Sequence, residues 1–190
     1  MKKKVIVGIS GASGASLAIH CLDILKQANV ETHLIITKPA QMTIAYETDC
    51  KLDDVKAKAD FIHNNTDVGA LCASGTFKSD GMIIVPCSMK TLGEVACGIC
   101  GNLLTRSADV VLKERRKLVM VVRETPFNLS HIRNMETITL MGGIICPPVP
   151  AFYTNPKTVD ELNYQISARS VESLDLGIDI PNIKRWKQDD

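Results

Sequence analysis

Short apolar runs rich in valine and isoleucine recur along the chain, and each is followed by a turn or a polar loop. Their lack of polar alternation is typical of strands that are buried on both faces of a parallel sheet. They predict strands over Lys4–Ile9, Val30–Ile36, Met82–Val85, Lys117–Val122 and Gly143–Cys146.

The apolar positions between these runs follow helical spacing. They predict helices over Ser16–Leu25, Met89–Cys97, Leu103–Glu114, Leu129–Met141 and Thr158–Leu174. The last helix opens with a threonine, followed by Asp160 and Glu161 in its first turn, as helix starts commonly do. Strands that alternate with helices indicate an α/β fold, a flavodoxin-like or Rossmann-like doubly wound parallel sheet.

Three segments punctuate this pattern. Lys38-Pro39 is expected to close the second strand, and Asp53–Lys78 is expected to be a surface excursion because it is rich in turn residues. The proline run at 147–150 is stiff and cannot donate backbone hydrogen bonds, so it should end the sheet and direct the chain that follows.

The composition restricts the class of protein. A chain of 190 residues is long enough for one well-buried core, so we expect a single domain over 1–190. An apolar fraction of 45%, a charged fraction of 23% and a net charge of +1 are typical of a globular protein. They give no reason to expect a nucleic-acid partner.

The amino terminus and the cysteines bear on location. The apolar stretch before Gly8 is too short for a signal peptide or a membrane span. An odd count of seven cysteines without an export signal favours reduced thiols, so we expect a cytoplasmic protein without a membrane association. We interpret Cys97 and Cys100 as packing residues, assign no ligand role to any histidine and expect no metal.

The first glycine-rich turn directly follows the first predicted strand. Gly8, Gly11 and Gly14 have a spacing that matches neither the dinucleotide fingerprint nor the Walker pattern. Thr37 stands where an NAD site would need an acidic residue after the second strand. These features argue against NAD and ATP, and leave either a plain tight turn or a site for a single phosphate group.

Further polar segments follow the other strands. The segment 86–91, Pro-Cys-Ser-Met-Lys-Thr, offers hydroxyls and N–H groups at a helix start, and Arg123-Glu124 ends the strand Lys117–Val122. Such segments meet at one edge of a parallel sheet, where a mononucleotide such as FMN fits. Arg106 and Lys113 are two helical turns apart and share a face, although such cations alone are more often solvated.

Several long motifs together resemble the flavin prenyltransferase (UbiX-type) family. They are SGASGA, ITKPAQ with YETD, PCSMKT, NLLTRSADVVLKERR, VVRETPFNLSHIRNM and PPVPAFY, and they span essentially the whole chain. The resemblance is strongest to members paired with hydroxyarylic acid decarboxylases. It implies a flavodoxin-like homo-oligomer, commonly a dodecamer, that needs no metal. Its reaction would transfer the dimethylallyl group of dimethylallyl phosphate to reduced FMN, release phosphate, and supply prenylated FMN to a UbiD-type decarboxylase.

The resemblance also implies roles for individual residues. FMN would contact Gly11, Ala12, Ser13, Thr37, Ser88, Met89, Lys90, Thr91 and Arg123. The phosphate of dimethylallyl phosphate would contact Arg106, Lys113, Arg123, Tyr153 and Arg169. Flavin N5 would attack the allylic carbon and ring closure onto C6 would follow, with Ser13 near the leaving group and Glu47 and Glu124 handling protons.

Three other functions stay open at this point. The chain could carry FMN to a decarboxylase without catalysis, although a carrier needs no allylic phosphate site. It could be an FMN-dependent cysteine decarboxylase of the phosphopantothenoylcysteine type, although the histidine and asparagine motifs of those enzymes cannot be placed here. Direct decarboxylation of a phenolic acid is the third alternative.

Overall fold

The computed structural model describes residues 2–187 and contains a six-stranded parallel sheet with helices on both faces. The strands are β1 (Lys4–Ile9), β2 (Glu31–Ile36), β3 (Phe61–Asn64), β4 (Gly81–Cys87), β5 (Lys117–Val122) and β6 (Ile144–Ile145). The helices are α1 (Ala15–Gln27), α2 (Lys38–Glu47), α3 (Leu52–Lys56), α4 (Met89–Ala96), α5 (Leu103–Lys113), α6 (Leu129–Leu140) and α7 (Val159–Glu172). Short 3₁₀ turns occur at Leu71–Ala73 and Phe152–Thr154.

Alternate residues of each central strand supply two separate hydrophobic cores. Val5 and Val7 of β1 face one side, where α1, α2 and α7 pack, whereas Ile6 faces the other side with α4, α5 and α6. Both faces are therefore covered, which explains the continuous apolar runs in the sequence. The predicted α/β doubly wound fold is confirmed.

The strand order is β3-β2-β1-β4-β5-β6: β2 and β3 lie on one side of β1, and β4, β5 and β6 lie on the other side. The order in which the chain adds strands therefore reverses between β1 and β4. The helix that follows β1 lies on one face of the sheet and the helix that follows β4 lies on the other. Their connecting loops therefore separate at the carboxyl edge and leave a crevice, which is where ligands bind in folds of this kind. The glycine-rich turn follows β1 and the segment 86–91 lies at the end of β4, so the two segments stand on either side of this point.

Two expectations for the intervening segments need correction. Lys38-Pro39 follows the end of β2, but it also opens α2, because proline is well tolerated in the first turn of a helix. The Asp53–Lys78 segment is not merely a surface excursion, since it contains α3 up to Lys56 and strand β3. The apolar faces of α2 and β3 are narrow. Helix α2 buries Ala40 and Ile44, and Phe61 and Ile62 of the edge strand β3 are exposed.

The C-terminal helix α7 packs along α1. The Ser167 hydroxyl donates to the backbone carbonyl of Leu17 at 3.1 Å, and Asn163 Nδ2 donates to the Ser16 hydroxyl at 3.0 Å. These bonds fix the start of α1 against α7 beside the crevice. Within residues 2–187, no helix has the length and apolar character needed to cross a bilayer.

Candidate active site

The turn between β1 and α1 depends on two glycines. Gly14 has a φ of 110°, in the region that side chains disfavour, and it is the N-cap of α1. A Cβ on Gly11 would lie 2.3 Å from the Cβ of Pro39, so the turn passes directly against the start of α2. The SGASGA segment is thus shaped by a tight turn and by close packing, in addition to any contact with a ligand.

A buried serine joins the two loops that border the crevice. Ser10 Oγ donates to the carbonyl of Pro86 at 2.9 Å and accepts from the backbone N–H of Ser88 at 2.7 Å. Ser10 is 1% exposed, so these bonds replace water entirely. The turn after β1 and the segment after β4 are consequently held as one unit.

Glu47 closes the first turn of α1 from outside the helix. Its Oε2 accepts hydrogen bonds from the backbone N–H of Gly14 at 2.7 Å and of Ala15 at 2.9 Å. Partial burial raises the pKa of Glu47, but these two bonds, the Ser13 hydroxyl and the charge of Arg123 together lower the pKa below its usual value. Glu47 is therefore a carboxylate at neutral pH.

Ser13, Glu47 and Arg123 line one open cleft of about 520 Å³. Arg123 is placed there by β5, and its backbone N–H donates to the carbonyl of Cys87 at 3.0 Å. The rest of the lining mixes polar and apolar side chains: Gly14, Ser16, Leu17, Pro148, Pro150, Val159, Leu162, Asn163 and Ile166. The structure thus brings three of the predicted site residues together, with a carboxylate and a guanidinium in the same cleft.

The start of α4 offers donors for an anion. Ser88 is its N-cap, and the Ser88 side chain accepts from the backbone N–H of Thr91 at 3.3 Å. The N–H groups of Met89 and Lys90 belong to the first helical turn, where no helical carbonyl precedes them. This helix start therefore suits a phosphate better than the start of α1, where Glu47 already accepts the first N–H groups.

The remaining predicted cofactor residues and Glu124 lie directly after strands of the sheet or on α4. Ala12 lies in the turn after β1, and Thr37 caps α2 by accepting from the backbone N–H of Ala40 at 3.2 Å. The side chain of Lys90 pairs with Glu94 at 2.6 Å. Glu124 is exposed after β5, and its carboxylate accepts from the N–H of Thr125 at 3.0 Å.

Tyr153 and Arg169 share a second pocket of about 230 Å³. Ile166 lines both this pocket and the cleft that contains Arg123, so the two are adjacent. Arg169 is paired with Glu172 at 2.9 Å, and the other oxygen of Glu172 accepts from Arg185 at 2.9 Å. Arg169 would have to leave Glu172 to reach a phosphate in the neighbouring cleft.

Arg106 and Lys113 lie on α5, which packs on the face of the sheet opposite to α1 and α7. Arg106 pairs with Asp109 at 2.8 Å, and Lys113, at the amino edge of the sheet, pairs with Glu114 at 2.5 Å. Within the described part of a single chain, the four cations and the phenol expected at one phosphate therefore do not meet.

One part of the cleft was not predicted from the sequence. Leu162 and Asn163 enter it because α7 packs on α1, a tertiary contact between segments far apart in the chain. Their local sequence is that of an ordinary amphipathic helix and carries no signal of a site.

Fold and cleft together define a flavoprotein of the doubly wound type, and a family model described as Flavoprotein matches residues 1–163. The flavin prenyltransferase UbiX of Neisseria meningitidis serogroup B is 50% identical over 187 residues, which cover 98% of this chain and 98% of the relative. The UbiX of Thauera aromatica is 48% identical over 183 residues, covering 96% of this chain and 93% of the relative. The chain belongs to the UbiX flavin prenyltransferase family.

Solved structures agree with this assignment. The crystal structure of AnUbiX (PadA1) in complex with FMN and dimethylallyl pyrophosphate has a TM-score of 0.95 and 47% identity, with 98% of each chain covered. A dodecameric FMN-dependent UbiX-like decarboxylase from Escherichia coli O157:H7 has a TM-score of 0.93 and 46% identity, covering 97% of this chain and 99% of that chain. An FMN-dependent cysteine decarboxylase, TvaF, at 17% identity and a TM-score of 0.61, shares the fold alone.

Proposed function

We propose that this chain is a flavin prenyltransferase that joins the dimethylallyl group of dimethylallyl phosphate to N5 and C6 of reduced FMN. The observation that carries the proposal is the 50% identity to a UbiX enzyme over almost the entire chain. The cleft with Ser13, Glu47 and Arg123 supports it, because it provides a cation beside hydroxyl and carboxylate groups.

The cleft and the first turn of α4 together fit FMN. A volume of about 520 Å³ lies within the range of ligand pockets, and apolar side chains such as Leu17 and Leu162 offer a surface for a ring or a prenyl chain. The first turn of α4, with Ser88 and Thr91, is suited to the phosphate. When bound in reduced form, the flavin supplies the nucleophilic nitrogen and carbon atoms of the reaction.

Arg123 would stabilise the departing phosphate. Arg123 lines the cleft, where a bidentate pair between its guanidinium and a phosphate dianion is possible. Positive charge at the leaving group lowers the barrier to breaking an allylic C–O bond, because charge develops on the phosphate in the transition state. Ser13, in the same cleft, would donate a hydrogen bond to it.

The two glutamates would have different roles. Glu47 is ionised at neutral pH and shapes the turn by accepting from Gly14 and Ala15, so it accepts a proton and does not supply one. Glu124 follows Arg123 in the chain and is exposed, so a bound substrate can reach its carboxylate. Glu124 is therefore the better candidate for removing the proton from C6 during ring closure.

An assembly would bring the remaining phosphate ligands to the cleft. Since Arg106 and Lys113 lie on the opposite face of the sheet from Arg169, they would act at a site of a neighbouring copy in a homo-oligomer, which we take to be a dodecamer. Exposed apolar side chains near the proline run support such a contact: Val149 is 68% exposed and Phe152 76%. A folded Phe152→Glu variant that is monomeric should lose activity, and full activity would contradict this arrangement.

Prenylated FMN would serve a separate UbiD-type aromatic acid decarboxylase.

The seven cysteines all have free thiols, which supports a reducing compartment and hence a cytoplasmic location.

Anaerobic incubation with reduced FMN and dimethylallyl phosphate, followed by mass spectrometry of the extracted flavin, tests the activity. We expect the flavin to gain one dimethylallyl unit, and parallel reactions with the diphosphate define the leaving group. Arg123→Ala should reduce the yield at least 100-fold, a typical loss when a group that stabilises transition-state charge is removed. Arg133→Ala, an exposed arginine on α6, is the matched control and should leave the yield unchanged.

Unmodified flavin, with FMN binding confirmed, would contradict the proposal. Release of CO₂ from a peptidyl or pantothenoyl cysteine would then identify a cysteine decarboxylase, and transfer of unmodified FMN to a decarboxylase would identify a carrier. Turnover of a phenolic acid as the sole substrate would instead indicate direct decarboxylation.

A further inference from the structure

Two histidines and a cysteine converge at the edge of the sheet that carries β3. His33 Nδ1 lies 3.0 Å from His63 Nε2, and one ring nitrogen of each histidine and the Cys72 sulfur all lie within 4.8 Å of one another. The residues come from β2, β3 and the turn at Leu71–Ala73, so their proximity is a product of the fold. The sequence assigned no ligand role to the histidines because their spacing matches no metal motif.

We propose that His33, His63 and Cys72 bind one Zn²⁺ ion, at a site separate from the flavin cleft. Imidazole nitrogen and thiolate sulfur are the ligands that zinc prefers, and three protein ligands plus one water complete a tetrahedron. Tetrahedral coordination places two nitrogen ligands about 3.3 Å apart and a nitrogen and a sulfur about 3.6 Å apart. The 3.0 Å between the histidines requires a small ring rotation, and the thiol requires an approach of at most about 1.2 Å.

A carboxylate already orients the buried histidine. His33 Nε2 lies 3.1 Å from Glu31 Oε1, which also pairs with Lys4 Nζ at 3.0 Å. If His33 donates from Nε2 to this carboxylate, Nδ1 is left with the lone pair that a metal requires. A carboxylate, a histidine and a metal in sequence form a common arrangement in zinc sites, and the carboxylate strengthens the ligand.

The surroundings suit a metal that is reached from one side. His33 is 2% exposed. The centroid of its ring lies 4.8 Å from that of Phe61 and 4.7 Å from that of Phe77. His63 is half-buried and lines an open cleft of about 440 Å³ with Gln41 and Asn65. That cleft provides an entry path and room for the water ligand.

Coordination would exchange the Cys72 S–H bond for a sulfur–zinc bond and release the proton to solvent. The hydrogen that His63 Nε2 donates to His33 Nδ1 in the metal-free pair would pass through solvent to His63 Nδ1, so that both facing nitrogens offer a lone pair to the metal. Because the three ligands lie on β2, on β3 and on the turn after β3, zinc would cross-link the edge of the sheet to its interior. An ion that binds the folded state preferentially stabilises it, so Zn²⁺ should raise the unfolding temperature of the full chain.

Titration of the metal-free full chain with Co²⁺, a spectroscopic substitute for Zn²⁺, tests this site. We expect one equivalent to give a thiolate-to-cobalt charge-transfer band that Zn²⁺ abolishes. The band should be lost in Cys72→Ser, and the affinity should fall at least tenfold in His63→Ala and in Glu31→Gln. Cys97→Ser, which changes an exposed cysteine elsewhere, is the matched control and should keep the band and the affinity.

A band that is absent from the wild-type chain, or that survives in Cys72→Ser, would overturn the proposal. His63 is half-buried, so His63→Ala provides a second folded variant if Cys72→Ser does not fold, and circular dichroism checks both. An unchanged Co²⁺ affinity in folded His63→Ala would equally reject the site. The test does not depend on the prenyl transfer reaction, so the two proposals can fail independently.

Discussion

Glu47, the last residue of α2, caps α1 by accepting the backbone N–H of Gly14 at 2.7 Å. A carboxylate at the positive end of a helix dipole is favourable, and here it comes from the neighbouring helix. The positive end of the α1 dipole, behind the glycine-rich turn, is therefore already compensated by a carboxylate of the protein itself. This relationship shifts the expected position of the flavin phosphate toward the first turn of α4.

Glu47→Ala should lower the free energy of unfolding by about 1 kcal/mol at neutral pH, the usual effect of losing an N-cap. Because the pKa of Glu47 is lowered in the folded state, its contribution is present above the unfolded pKa and is lost as the pH falls through the folded pKa. Denaturant unfolding of both proteins at several pH values measures this.

The difference between wild type and Glu47→Ala should thus be full at neutral pH and shrink below about pH 4. Glu136→Ala, an exposed glutamate on α6, is the control and should show little difference at any pH. A stability difference for Glu47→Ala that stays constant down to about pH 3 would contradict the role of its charge.

Gly11→Ala should destabilise the protein by about 1–3 kcal/mol, because the new methyl group would overlap Pro39 and force a backbone shift. FMN affinity, measured by fluorescence quenching of the flavin, should fall together with stability. Gly101→Ala is a suitable comparison, since a Cβ there meets nothing within 4 Å. Equal effects of the two substitutions would show that close packing at Gly11 is unimportant.

Ser10→Ala should mainly lower the stability of the protein, whereas Ser13→Ala should mainly lower the rate of the reaction. Removing the Ser10 hydroxyl leaves the buried N–H of Ser88 and carbonyl of Pro86 without their partner, at a cost of about 1–3 kcal/mol. Ser13 faces the cleft, so Ser13→Ala should unfold like wild type but form prenylated FMN more slowly. Denaturant unfolding and single-turnover rates separate these effects, and a wild-type rate for Ser13→Ala would exclude a catalytic role.

Glu172→Gln should lower the KM for dimethylallyl phosphate two- to fivefold, because releasing Arg169 from an exposed ion pair costs at most about 1 kcal/mol. Arg169→Ala should raise the same KM and should abolish the effect of Glu172→Gln when the two changes are combined. Steady-state kinetics of the three variants measure the coupling. An unchanged KM in Arg169→Ala would remove Arg169 from the phosphate site.

The strands and the crevice could be predicted because strands that are buried on both faces of a sheet require continuous apolar runs in the sequence. The limits Lys4–Ile9 and Lys117–Val122 agree with the structure, since continuous apolar runs end where the chain leaves the sheet. The polar segments after β1, β4 and β5 likewise follow from the position of ligands in parallel sheets. Ser13 and Arg123 were placed in one region for this reason.

The capping role of Glu47 and the cluster at His33 could not be predicted in the same way. Helix α2 has a narrow buried face, so its extent to Glu47 is fixed by packing on α1 and by the Thr37 cap. His33 and His63 meet because β2 and β3 pair with Ile35 opposite His63, a register that depends on an edge strand without an apolar pattern. Tertiary contacts decide both features.

The same reversal of strand order that opens the crevice also has a consequence for folding kinetics. Ser10 and Pro86, which join the two sides of that crevice, are 76 residues apart in the chain. The pairing of β1 with β4 therefore closes a long segment of chain. Non-local parallel pairing of this kind is slow, because the entropy of closing the loop is lost before the contacts form. We therefore expect β1, α1 and β2 to assemble first and the ligand-binding edge to be completed late on the folding pathway.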